Sequence, residues 1–211
     1  MRFSNKPLVS VVMATFNRAG YLSGAVESVI AQTFESWELI IVDDGSTDDT
    51  PSLVKPYTEN HPNIRYLRHS NLKAALSRNA GIQASFGEYI TFIDSDDRYL
   101  PQHLESRMAI IAANPGVLLL SGGYACEAGT MVRDRHDPEK LINIRECILG
   151  GTFFGKRELF LAVEGFRPLD YAEDTDLWER ASGRFPVMRI EEPRTYLYQR
   201  AEDSITRHFR A

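Results

Sequence analysis

Cysteine is almost absent from this 211-residue chain, and its two copies, Cys126 and Cys147, stand far apart with no histidine cluster beside them. That argues against a structural zinc site or a redox pair and leaves two reduced thiols. No apolar run approaches the ~20 residues needed to cross a bilayer, and residues 1–7 lack an apolar signal core. The expectation is a cytoplasmic protein with no transmembrane segment, associated with a membrane at most peripherally. Positive charge is not in excess either: the formal net charge is −5. A general nucleic-acid partner or an anionic lipid surface is therefore not expected. The chain has no internal repeat and no low-complexity stretch. It also lacks G-x-G-x-x-G after its first apolar run and G-x-x-x-x-G-K-[ST] anywhere, which disfavours a dinucleotide fold or a P-loop. Any nucleotide would have to be held by side chains and a metal.

What is present is an ordinary globular composition, 43% hydrophobic and 25% charged, enough for one sizeable core. Leu8 to Ala14 is nearly unbroken apolar and β-branched, the pattern of a strand buried on both faces. A loop follows at 15–20, and then Leu22, Ala25, Val26, Val29 and Ile30 recur at helical spacing. Trp37 to Val42 repeats the buried-strand pattern, the acidic turn at 43–48 caps a helix from about Thr50, Ile64 to Leu67 reads as a short strand, and Lys73 to Ala84 as a helix. With Tyr89 to Ile93 the alternation predicts an α/β fold, a doubly wound, mostly parallel sheet with right-handed crossovers. Ligands in such sheets bind beyond the carboxyl ends of the strands, where the loops at 15–20, 43–48 and 94–97 gather. After a helix to about Asn114 and a strand at Val117 to Leu120 the pattern loosens. Short antiparallel strands are expected at 122–126 and 130–135, weak helix at 138–148, helices at 156–163 and 172–182, and late strands at 187–190 and 195–198.

The strand at 89–93 runs directly into Asp94-Ser95-Asp96-Asp97. Three acids within four residues repel one another and stay ionised at a strand's end only if something positive binds among them. Carboxylate and water oxygens suit Mg2+ or Mn2+, whereas zinc would want Cys or His nearby. A solvated acidic turn ahead of the next helix is the plainer reading of the same residues.

Val9 to Asn17, Ser28 to Phe34, Glu38 to Asp48, Ser77-Arg-Asn-Ala-Gly81, Gly87 to Asp97 and Glu173-Asp174 together resemble glycosyltransferase family 2, the inverting nucleotide-sugar transferases of GT-A fold. The segments occur in the family's order and are densest in the first half. The resemblance implies a single GT-A domain over 1–211, Rossmann-like, with a nucleotide-sugar-binding half at 1–115 and an acceptor-binding half with a small antiparallel portion at 116–211. It implies that Ala14, Thr15 and Phe16 line the base pocket and that Asp44 accepts a hydrogen bond from an N–H of the base, preferably uracil. Arg78 and Asn79 would hold phosphate or ribose oxygens, and Asp94 and Ser95 would lie beside the ribose or metal. Asp96 would be the direct ligand of Mn2+ or Mg2+, supported by Asp94 and by His208 if the tail folds over the donor. Asp174 would be the general base, with Glu173 as its substitute. The partners implied are a nucleotide-sugar donor and a hydroxyl-bearing sugar or lipid-linked acceptor, as in polysaccharide, cell-wall or glycolipid synthesis. No Gln-x-x-Arg-Trp signature of processive synthases occurs, so addition of one sugar is expected. Two other readings stand beside this one: a nucleotidyltransferase that makes nucleotide sugars, whose glycine-rich basic loop residues 15–20 match poorly, and a binding module without turnover. His61, His69, His103 and His136 have no evident partner in the sequence.

Overall fold

A computed structural model describes residues 6–137 and 139–199. In its first half, strands and helices alternate as β1 (Val9–Thr15), α1 (Ala19–Ile30), β2 (Trp37–Asp43), α2 (Thr50–Asn60), β3 (Ile64–Arg68), α3 (Lys73–Ala84) and β4 (Tyr89–Phe92). Then come β5 (Arg98–Tyr99), α4 (His103–Ala113), β6 (Leu119–Gly122), β7 (Tyr124–Ala125), β8 (Met131–Arg133), β9 (Leu141–Asn143), β10 (Phe154–Lys156), α5 (Arg157–Ala162), α6 (Glu173–Ser182), β11 (Val187–Ile190) and β12 (Tyr196–Leu197).

The main sheet has seven strands in the order β11-β6-β10-β4-β1-β2-β3. β1 pairs in parallel with both β2 and β4, and β2 with β3. β10 is antiparallel to both β4 and β6. The expected mostly parallel sheet is therefore present, interrupted by one reversed strand that three residues of sequence were too short to reveal. Alternate residues of the central strands feed two separate cores. Val9, Val11 and Met13 pack with α1 on one face, whereas Val12, Ile90 and Phe92 pack with Phe160, Phe166 and Leu177 on the other. Burial on both faces is why these strands read as continuous apolar runs.

The second half departs from expectation in two places. Residues 138–148 were expected to be weakly helical, but β9 pairs antiparallel with β8 and only Ile144–Glu146 turns, as a single 3-10 turn. Asn143 stops the strand by accepting the Arg145 N–H, while Glu146 accepts the Asn143 N–H in return. The segment at 122–126 is not an antiparallel strand: β7 runs parallel to β12, which in turn pairs antiparallel with β5.

α3 approaches β1 so closely that a Cβ placed on Gly81 would lie 2.2 Å from a Val12 methyl carbon. That contact sets the height of Arg78, one turn earlier, above the strand ends. Gly81→Ala should therefore destabilise by about 1–3 kcal/mol through overpacking, against a helix-propensity gain of only about 1 kcal/mol. Gly20→Ala on α1, where nothing lies within 4 Å of the new atom, should be neutral or stabilising. Denaturant midpoints check this; a Gly81→Ala midpoint at or above wild type would refute the close-packing account.

Candidate functional site

A cavity of about 770 Å3 opens at the carboxyl edge of the main sheet. Its first wall carries Ala14, Thr15 and Phe16 at the end of β1, Asp44 after β2, Arg78 on α3, and Asp94, Ser95 and Asp96 after β4. Its second wall is formed by the β8–β9 hairpin, the Gly150-Gly151 turn, and Glu173 and Asp174 at the start of α6. Ten of the residues singled out in the sequence thus face one cavity. Asn79 does not line it. Its amide donates to the Phe166 carbonyl and accepts the Phe166 N–H, both at 2.8 Å, so it pins the turn at 165–166 rather than a ligand. His208 lies outside the described residues.

Arg78 joins the two walls. Its Nη2 donates to Asp94 Oδ1 at 2.7 Å and its Nη1 to Glu173 Oε1 at 2.6 Å, with the guanidinium over the Phe166 ring. Burial works against this charge, but Asp94 and Glu173 outweigh it and hold the group more firmly protonated than usual. Two of the guanidinium's donors, expected to meet phosphate or ribose oxygens, are thus engaged by carboxylates in this structure.

The adjacent acids at the start of α6 are in different situations. Glu173 is ion-paired to Arg78. Asp174 accepts N–H groups from Gly150 at 3.0 Å and from Thr175 at 2.7 Å. Burial, helped by the charge of Glu173, pushes the Asp174 carboxyl up to about 7, although both N–H groups and Arg78 pull the other way. A carboxylate poised near neutral pH can accept a proton and release it.

Of the two acids after β2, only Asp44 reaches the cavity. Asp43 is fully buried, holding the Tyr66 hydroxyl and the Ser46 N–H. Asp44 accepts the Leu72 and Lys73 N–H groups at 2.7 and 2.8 Å, capping α3 from another segment. His69 Nδ1 lies 3.3 Å from Asp44, so this histidine, unpartnered in sequence, stands beside the cavity wall. His103 is likewise partnered: it is fully buried, bonded to Thr195 Oγ1 and stacked on Tyr99. The Thr15 hydroxyl contrasts with these satisfied groups: it is buried and has no protein hydrogen-bond partner among the described residues.

The acid loop after β4 is divided too. Asp94 and Asp96 line the cavity, but Asp97 is 1% exposed and bonded to the Tyr196 hydroxyl and the Gln199 N–H. Among the described residues no three His, Cys, Asp or Glu side chains gather to hold a metal ion. Two cavity-facing carboxylates with oxygen donors only still fit Mg2+ or Mn2+, which commonly bind through one or two carboxylates plus substrate phosphates and water. Sequence reasoning did not single out Gly150-Gly151 or Tyr196. The paired glycines between apolar residues were a readable sign of close backbone approach, whereas nothing distinguished Tyr196 from a strand residue.

Known proteins place the chain. It is 37% identical over 110 residues to the uncharacterized glycosyltransferase YibD of Escherichia coli, covering 52% of this chain and 31% of that protein. It is 34% identical over 140 residues to the putative teichuronic acid biosynthesis glycosyltransferase TuaG of Bacillus subtilis, covering 64% of this chain and 55% of the relative. The chain thus spans only part of the relatives it matches. Among solved structures, S. aureus TarS 1-349 in complex with UDP-GlcNAc superposes with a TM-score of 0.79 at 21% identity, over 95% of this chain and 61% of that one. The mannosyltransferase PcManGT of Pyrobaculum calidifontis, in complex with GDP-Man and Mn2+, superposes with a TM-score of 0.73 at 20% identity, over 96% and 59%. These likenesses give the fold, GT-A. The model of glycosyl transferase family 2 matches residues 10–169, from β1 to the loop before α6, and the chain belongs to that family.

Proposed function

We propose that this protein is an inverting glycosyltransferase that moves one sugar from a uridine diphosphate sugar to a hydroxyl of a sugar or lipid-linked acceptor. The observation that carries the reading is one cavity with nucleotide-compatible groups on one wall and a carboxylate poised near neutral pH on the other. The base lies against Ala14 and Phe16, with the orphan Thr15 hydroxyl as a polar partner. Asp44 Oδ1 accepts the Leu72 N–H just before α3 and Oδ2 accepts the Lys73 N–H, so that Oδ2, the oxygen away from His69, has a lone pair for an N–H of the base. Uracil and guanine both carry such a group; uracil is preferred because TarS, with the higher TM-score of the two neighbours, was captured with UDP-GlcNAc. Asp96 and Asp94 would hold Mn2+ or Mg2+, whose charge, when bound, would offset that of the leaving nucleoside diphosphate. The Mn2+ in the mannosyltransferase complex supports a divalent ion.

Asp174 takes the proton of the acceptor hydroxyl as its oxygen attacks the anomeric carbon. The bond from that carbon to the diphosphate oxygen breaks on the opposite face, and the nucleoside diphosphate leaves with the electron pair. Glu173 is the poorer base because Arg78 already holds its carboxylate. TuaG, named for teichuronic acid biosynthesis, supports a polysaccharide or cell-wall acceptor.

The test is incubation with nucleotide sugars and Mn2+. Release of nucleoside diphosphate marks the transferase; pyrophosphate exchange would indicate a nucleotidyltransferase, and binding without turnover a recognition module. Asp96→Asn should lower UDP affinity in Mn2+ by about tenfold or more, since the cation's contribution is several kcal/mol, and unchanged calorimetric binding would remove Asp96 from the metal.

UDP should compete better than CDP by about 10- to 100-fold, because N3 of cytosine has no hydrogen and a buried Asp44 lone pair left unmatched costs about 1–3 kcal/mol. Equal competition would show that Asp44 does not read the base.

A base whose carboxyl titrates at about 7 is active only when ionised, so kcat/KM should rise with pH and level off above about 7. Asp174→Asn should abolish that limb and slow transfer about 10²–10⁴-fold. An unchanged pH profile in the Asn variant would move the base elsewhere.

A further inference from the structure

Besides the Arg78 bridge, the two walls of the cavity meet at a buried phenol. Tyr196 on β12 is 1% exposed. Its hydroxyl donates to Asp97 Oδ2 at 2.5 Å and accepts the Asp94 N–H at 3.4 Å. The Gln199 N–H donates to the other Asp97 oxygen at 2.6 Å, and the Asp97 N–H closes the acid turn on the Asp94 carbonyl at 3.0 Å. On its other side the ring rests on Gly151, where a Cβ would fall 2.2 Å from the hydroxyl oxygen. The neighbouring Gly150 gives its N–H to Asp174.

We propose that Tyr196 is a positioning residue: it fixes the acid loop that holds the donor against the glycine turn that holds the base, with Asp97 as its anchor and not as a metal ligand. The inference rests on the transferase reading above. Its physical basis is that three contacts of one rigid side chain leave the acid loop little freedom to slide relative to Gly150-Gly151. Asp97 cannot turn toward the cavity without exposing the Tyr196 hydroxyl and the Gln199 N–H unpaired, which is costly in a buried site. Asp94 and Asp96 are then held ready before a cation or diphosphate arrives, so the ordering cost is met during folding and not during binding.

Packing alone would predict something different. The Tyr196 ring also contacts Tyr99 and His103, and Tyr196→Phe keeps all of these contacts and the seat on Gly151. Only the hydroxyl is lost. A control is Tyr124→Phe on β7, the ladder neighbour of Tyr196 in the same small sheet, which loses a 2.7 Å hydrogen bond from its hydroxyl to the Ile144 carbonyl, outside the acid loop.

The experiment is calorimetric titration of UDP at graded Mn2+ concentrations, with folding checked by thermal melting. Tyr196→Phe should need about tenfold more Mn2+ for half-maximal UDP affinity, while Tyr124→Phe should match wild type. Gly151→Ala, which drives a methyl into the hydroxyl from the other side, should shift Mn2+ dependence in the same direction and keeps the question open to test if Tyr196→Phe does not fold. Wild-type Mn2+ dependence in both Tyr196→Phe and Gly151→Ala overturns the inference. An equal shift in Tyr124→Phe overturns it too, since the effect would then be general loosening. Wild-type protein that binds no nucleotide with Mn2+ overturns this inference and the transferase reading together.

Discussion

The carboxyl edge of this sheet concentrates acids that would drive one another apart, and the interaction that lets them coexist is the bridge from Arg78 to Asp94 and Glu173. Asp94 belongs to the loop after β4 and Glu173 to the start of α6, so one guanidinium fastens segments that are distant in sequence. A lysine would bridge them less well, because its ammonium is a compact point charge on a flexible stem, whereas the planar guanidinium holds its N–H donors in a fixed, spread fork. The bridge also sorts the acids by task. Glu173 is ion-paired to Arg78, and its charge, added to burial, raises the neighbouring Asp174 toward neutrality.

That arrangement depends on backbone contacts at the limit of packing. Gly81 lets α3 settle onto Val12, Gly151 lets the second wall meet Tyr196, and Gly165 lies where a Cβ would strike the Asn79 amide. Each glycine stands at a contact that sets the position of a cavity-bearing segment, so the cavity's shape comes as much from missing side chains as from those present.

The first half of the fold was legible because β1, β2 and β4 are buried along their length and α1 carries an apolar stripe; the run Leu39-Ile40-Ile41-Val42, rich in β-branched residues, reads as a buried strand. The cavity wall could be read from the same stretch because acids and Thr15 end those strands in register. The second half was less legible for a physical reason: its strands are two to four residues long, too short for a period to show. Asn79 was misplaced because its motif neighbour Arg78 does face the cavity, and a helix turns the next residue about 100° away. Asp97 sits in the same acidic run as Asp96, and only the return of β12 from far along the chain separates buried anchor from cavity wall.

The reversed strand β10 has a consequence for how the chain is made. β4 is buried in its finished state, with β1 on one side and β10 on the other. As the polypeptide emerges amino end first, β1 is available to pair with β4 at once, but β10 follows only after α4 and both small sheets have begun to appear. Through that interval β4 is an apolar edge with open N–H and C=O groups, the kind of surface on which nascent chains join edge to edge. The protein's vulnerable period thus ends when Phe154 arrives to cover Thr91, well after the first wall of the cavity has been synthesised.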